Sequence, residues 1–352
     1  MTLDQVERTS RDDTRPLLEV ENLKVEFDTY GGTVQAVRGV SFSVDAGETL
    51  AIVGESGCGK SVTVQSIMGL IPMPPGRITS GTAKLRGVDI IGRKVFNGED
   101  IRGGQVGMIF QDPMSSLNPT MNIGSQIAET LEVHRGYSKK QAFQRAIELL
   151  DMTRIPEAAK RAKQYPFEFS GGMLQRSMIA MAIACEPAIL IADEPTTALD
   201  VTIQAQVLDL MSDLQRETGM AIILITHDLG VVARMADEVL VMYAGQIAEK
   251  GTVDDIFYRS AHPYTLGLRA AMPNNDPERA HELKPIDGSP PDLFHPPTGC
   301  AYAARCPHAM RVCDSTDPEP YFVAEQHYAR CWQHHESAVS RVDGLYYREV
   351  GA

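Results

Sequence analysis

The chain has 352 residues, and its 33 Lys and Arg against 46 Asp and Glu give a net charge of −13. At roughly 150 residues per domain, that length accommodates about two domains. The acidic balance argues against nucleic acid as the main partner, since gripping a phosphate backbone needs clustered cations; 43% apolar and 22% charged residues exclude wholesale disorder.

Residues 1–16 are polar and of mixed charge, and read as a flexible leader without the apolar segment of a secretory signal. The best apolar stretch, 178–192, is interrupted by Glu186 and Pro187. It falls short of the roughly 18 residues a membrane span requires. A cytoplasmic protein is expected. From Leu17, alternation in LLEVENLKVEF, VQAVRGVSFSV and ETLAIVG predicts three strands, turned at Gly31-Gly32 and Ala46-Gly47.

The third strand runs into Gly54-Glu55-Ser56-Gly57-Cys58-Gly59-Lys60-Ser61, which fits G-x-x-x-x-G-K-S/T. A helix is expected from Ser61 through Val62 to Leu70. Strand, Gly-rich loop and helix together form the setting of a phosphate loop. Backbone N–H groups and the helix N-terminus receive phosphate oxygens there. Lys60 would reach the β- and γ-phosphates and the Ser61 hydroxyl would bind Mg²⁺.

Residues 72–104 read as loops and short strands, and QVGMIF (105–110) as a short buried strand. Residues 120–185 read as mostly helical, with helical spacing at Lys139 to Leu150 and Gly171 to Ala184. Ser170 is a natural N-cap for the latter, and Gly171 and Gly172 allow close approach to an anion. AILIA (188–192) reads as a buried parallel strand ending in Asp193 and Glu194. Asp193 would hold Mg²⁺, and Glu194 would act as general base on the attacking water. A helix over 203–214 and a strand over 221–225 complete an α/β alternation. Beyond about Ala270 proline becomes frequent and periodicity fades, so a separate appendage is expected over 271–352. It carries Cys300, Cys306, Cys313 and Cys331. Their spacing matches neither paired zinc motifs nor ferredoxin runs. It leaves open a metal or cluster site against four unconnected reduced thiols.

The order of these motifs resembles the ATP-binding subunits of ABC transporters. Whole strings are similar to the peptide-importer branch, the dipeptide and oligopeptide permease ATPases, and resemble the dipeptide type-D subunit: GESGCGKS, IFQDPMSSLNP, FSGGMLQR, IADEPTTALDVTIQAQ and ITHDLGVVA. The resemblance covers residues 17–270, with a helical subdomain at about 112–185. It implies the P-loop ABC-type α/β fold, and it gives further residues their roles. Gln111 becomes the Q-loop glutamine, also on Mg²⁺, and His227 the switch histidine. Asp200 closes the D-loop Thr197-Ala198-Leu199-Asp200. Phe27 or Tyr30 stacks on adenine, Phe27 being preferred at the strand end. Ser170, Gly171, Gly172 and Met173 become the signature motif usually written LSGGQ, from which Met173 departs.

In that family two nucleotide-binding domains face each other head to tail. The signature of one chain completes the site of the other. The implied partners are a second ABC ATPase, by family analogy a paralogue, two membrane permease subunits and, indirectly, an extracytoplasmic peptide-binding protein. The implied place is the cytoplasmic face of the membrane. Related importers carry nickel, glutathione or other small solutes. A soluble ABC ATPase acting on DNA or ribosomes would show a coiled coil or a second cassette, and the sequence has one phosphate loop. GCAYAARCPHAM and RCW resemble the family's C-terminal region, which implies a 4Fe–4S cluster, or zinc, on Cys300, Cys306, Cys313 and Cys331. His262-Pro263-Tyr264-Thr265 resembles the family's linker and reads as structural.

Overall fold

The computed structural model describes residues 15–93, 95–96, 99–197, 199–272, 285–338 and 342–347. Residues 1–14 of the expected leader and Ala198 of the D-loop string lie outside them.

Five parallel strands make up one side of an eight-stranded sheet: Val106–Ile109 at the edge, then Ile189–Asp193, Ala221–Thr226, Thr49–Val53 and Glu238–Tyr243, in that spatial order. The strands Thr49–Val53, Ile189–Asp193 and Ala221–Thr226 are buried at every position. This explains why they read as continuous apolar runs rather than alternations. Four strand ends on one edge of this sheet lead into Gly54, Gln111, Asp193 and His227. In open parallel sheets that edge is where ligands bind.

Helix boundaries follow from local chemistry. The helix Val201–Thr218 starts at Asp200, whose carboxylate accepts from the Ile203 N–H at 2.9 Å. It stops at Gly219, which takes φ 72°. It therefore overruns the expected 203–214 at both ends. Its core face is Val207, Leu208, Leu210, Met211 and Leu214. The helix after the phosphate loop, Lys60–Ile67, ends earlier than expected because Gly69 turns the chain at φ 60°.

The helices Ile123–Arg135, Lys139–Met152 and Gly171–Ala182 pack together. Each begins at a polar cap, Asn122, Ser138 or Ser170. A second, antiparallel sheet has the order Gly32–Val44, Leu18–Thr29, Gly76–Leu85, Val88–Asp89. The ten-residue strand Gly76–Leu85 lies where the sequence suggested only loops and short strands. Its Gly and Thr residues break the apolar pattern, and pairing with Leu18–Thr29 supplies what propensity does not.

Part of the tail joins the central sheet. Tyr328–Ala329 pairs with Lys250 and Glu249 of the strand Gln246–Thr252, and Tyr321–Phe322 adds beyond it. Gln246–Thr252 itself turns back from Glu238–Tyr243 through Ala244 and Gly245, both at positive φ, as a tight hairpin requires. Among the described residues no helix is long and apolar enough to cross a membrane.

Candidate active site

The loop after Val53 depends on glycine at two close approaches. A Cβ on Gly54 would lie 2.3 Å from the Met242 carbonyl oxygen, and one on Gly59 would lie 2.4 Å from that of Ala36. Both residues have positive φ. Lys60 is 6% exposed. Its Nζ donates to the carbonyls of Gly54 at 2.8 Å and Glu55 at 3.1 Å. Ser56 and Gly57 are exposed at the loop's tip, while Cys58 is buried and burial pushes its thiol pKa up. Val62 packs against the core.

Ser61 Oγ donates to Asp193 Oδ1 at 2.8 Å, across 132 residues of sequence. A hydroxyl and a carboxylate oxygen side by side form a hard donor set, the kind Mg²⁺ takes. Burial raises the Asp193 carboxyl pKa, opposed by the Ser61 hydrogen bond.

Glu194 is half-buried and sits at φ 48°. Its N–H is tied to the Ile225 carbonyl at 2.9 Å. Three side chains surround its carboxylate. Gln111 Nε2 donates to Oε2 at 3.0 Å, Thr197 Oγ1 donates to the same oxygen at 2.9 Å, and His227 Nδ1 lies 3.3 Å from Oε1. Gln111 and His227 are exposed, each at the end of a strand flanking this edge. Thr197 was legible as part of the D-loop string but not as a partner of Glu194. The three-residue spacing from Glu194 was the available signal.

A second group lies on the helical side. Ser170 caps its helix through the Met173 N–H at 3.4 Å and, with Gly171, is exposed. A Cβ on Gly172 would lie 2.8 Å from Ile203 Cγ2, on the helix that Asp200 caps. The nearest atom to a Cβ on Gly171 is Leu199 Cδ2 at 3.9 Å. Met173 packs on the core. Among the described residues no hydrogen bond joins this group to the phosphate loop. Phe27 is half-buried against Gly76, and Tyr30 is fully exposed.

Cys300, Cys306, Cys313 and Cys331 line one small cavity of about 20 Å³, with His308, Met310 and Trp332. Burial raises the thiol pKa of Cys300 to about 11, and also raises those of Cys306 and Cys331. Among the described residues no three His, Cys, Asp or Glu side chains are set to hold a single metal ion. His262-Pro263-Tyr264-Thr265, read as a linker, is buried. His262 caps the helix Pro263–Ala270, and the Tyr264 hydroxyl accepts from the Glu55 N–H at 3.0 Å.

Residues 37–197 match the family described as "ABC transporter" and residues 248–313 that described as "Oligopeptide/dipeptide transporter, C-terminal region". The chain is 56% identical over 322 residues to the oligopeptide transport ATP-binding protein OppD of Bacillus subtilis, covering 92% of this chain and 90% of that one. It is 56% identical over 316 residues to the dipeptide transport ATP-binding protein DppD of the same organism, covering 90% and 94%. The fold is similar to the ATP-binding cassette MJ0796 in a post-hydrolysis dimer bound to ADP and Pi. That match has a TM-score of 0.59 and 26% identity, over 67% of this chain and 98% of that one. The chain belongs to the family of ATP-binding proteins of oligopeptide and dipeptide ABC transporters.

Proposed function

We propose that this chain is the ATP-hydrolysing subunit of a peptide importer, peripheral on the cytoplasmic face of the membrane. The observation that carries the reading is that Lys60, the Ser61–Asp193 pair and the Glu194–Gln111–His227 group stand together at the ends of adjacent parallel strands. ATP lies with its phosphates in residues 54–61 and its adenine on Phe27. Lys60 leaves its carbonyl partners for the β- and γ-phosphates. Ser61, Asp193 and Gln111 would hold Mg²⁺, which when bound would neutralise phosphate charge. Glu194 takes a proton from water as the water oxygen attacks the γ-phosphorus and the bond to the β-phosphate oxygen breaks. His227 contacts the γ-phosphate and, with Gln111, holds the Glu194 carboxylate in register.

Exposed Ser170 and Gly171, with Gly172, complete the site of a facing ATPase subunit, and that subunit does the same in return. ATP joins the pair and hydrolysis parts it. Two membrane permeases receive the motion through the Gln111 loop and the 112–185 region, and a peptide-binding protein outside supplies the cargo. The test is ATP hydrolysis by the assembled transporter in vesicles. Peptide-loaded binding protein should stimulate it while nickel and glutathione do not. Stimulation by nickel or glutathione instead would move the chain to a sister importer. Indifference to every solute would remove the importer reading.

For the tail we propose, on the family resemblance of Cys300, Cys306, Cys313 and Cys331, a 4Fe–4S cluster or a zinc ion, thiolates being soft ligands suited to either. Such a group would tie together a proline-rich tail. Anaerobically purified protein is expected to hold about four irons per chain. Its broad visible absorbance should be lost in Cys306→Ser. One zinc without colour would make the site a structural clip, and neither metal in a folded, assembling protein would remove it.

A further inference from the structure

The tail reaches the phosphate loop through one side chain. Arg305 lies 250 residues from Glu55 in sequence, yet its Nη1 donates to Glu55 Oε2 at 2.7 Å and its Nη2 to Glu55 Oε1 at 3.0 Å. The remaining donors are also used. Nη1 reaches the Tyr243 hydroxyl at 3.2 Å, Nη2 the Ile286 carbonyl at 3.2 Å, and Nε the Asp287 carbonyl at 2.9 Å. A guanidinium has five N–H groups, and here five acceptors meet them. The side chain is 5% exposed, so the pair is a built contact rather than a surface encounter. The ion pair holds Arg305 well above the usual arginine pKa, and its charge is fixed.

Glu55 is the second residue of the phosphate loop and is held on three sides. Arg305 takes its carboxylate, the Tyr264 hydroxyl its N–H, and Lys60 Nζ its carbonyl. Tyr243, Tyr264 and Tyr302 pack ring against ring beneath it, at centroid distances of 4.6, 5.3 and 5.4 Å. They share a core with Val53, the residue that precedes the loop. The stretch that holds Arg305 continues to the other end of the site. The Gln35 N–H donates to the Leu293 carbonyl at 2.9 Å, and Phe294 packs over Gly31 and Gly32, close to Phe27 in sequence.

We propose that Arg305 is a positioning residue for the phosphate loop. By gripping Glu55 from the tail it sets the loop in the shape that receives ATP, so the C-terminal region is part of the nucleotide site without touching nucleotide. The proposal rests on residues 54–61 being the ATP-binding loop.

The experiment is equilibrium binding of a fluorescent ATP analogue with Mg²⁺ to the full chain, paired with ATP turnover by the assembled transporter. Arg305→Gln and Glu55→Gln should each weaken binding by roughly tenfold, and the double variant should be no worse than either single one. KM for ATP should rise in parallel while kcat at saturating ATP stays within about twofold. Arg305→Lys, which keeps the charge and loses the fork, should fall between. Wild-type affinity in both single variants, effects that multiply in the double, or a loss confined to kcat would overturn the role. Should Arg305→Gln fail to fold, Glu55→Gln opens the same pair from the loop side and carries the same expectation. Lys60→Ala is the control: if it binds the analogue normally, the phosphate-loop assignment fails, independently of Arg305.

Discussion

Glu194→Gln should stop ATP turnover and leave ATP bound. Glutamine keeps the size and shape of the side chain and an oxygen to accept from Gln111 and Thr197, so the local hydrogen bonds at 3.0 and 2.9 Å can persist. It cannot take a proton from water. A positioned general base contributes about 10²–10⁴ in rate, so hydrolysis by the assembled transporter should fall by at least about a hundredfold. ATP affinity should change little, because the phosphate loop, Lys60 and the Ser61–Asp193 pair are untouched. Labelled ATP should then remain trapped between the two facing ATPase subunits. The backbone around Glu194 argues the same way. Its φ of 48° is uncommon for a residue with a Cβ, and its N–H is pinned to Ile225. Such backbone is kept where geometry is over-determined, often at reacting centres. Phosphate release within a few-fold of wild type would mean that another group takes the proton.

What the sequence made legible is what local pattern encodes. The phosphate loop, the strand ending in Asp193 and Glu194, and the helix after Ser170 each carry their chemistry and their structural setting within about ten residues. The central strands were legible because full burial writes an unbroken apolar run. The rest depends on partners distant in sequence. Gly76–Leu85 has little strand character until it pairs with Leu18–Thr29. The hairpin from Glu238 to Thr252 turns on Ala244-Gly245, a weaker turn signal than Asn-Gly. His262-Pro263-Tyr264-Thr265 reads as a linker by family resemblance, yet the three-tyrosine cluster absorbs Tyr264 completely. The contact between Arg305 and Glu55 spans most of the chain, and nothing near either residue announces it.

The reading of the tail as a separate appendage meets its sharpest challenge at His327, whose replacement by alanine should destabilise the whole protein rather than free its C-terminal region alone. His327 and Glu249 are both 0% exposed, with Nε2 at 2.8 Å from Oε1. Glu249 also accepts from the N–H groups of Ala261 at 2.6 Å and His262 at 2.9 Å. One carboxylate therefore joins the strand Gln246–Thr252, the start of the helix Pro263–Ala270 and the tail. Losing the buried imidazole and its bond to Glu249, which keeps its two backbone donors, costs about 3–5 kcal/mol in a place water does not reach. At roughly 2 °C per kcal/mol for a large chain, Tm should fall by about 6–10 °C. The loss should come as one cooperative transition, since Tyr328–Ala329 is hydrogen-bonded to the strand carrying Glu249, which in turn pairs with Glu238–Tyr243 beside the phosphate-loop strand. His327→Gln, which keeps a donor toward Glu249, should recover part of the loss. A transition that splits in two, with the ATPase core melting at its wild-type temperature, would restore the separate appendage and limit the buried pair to holding the tail together.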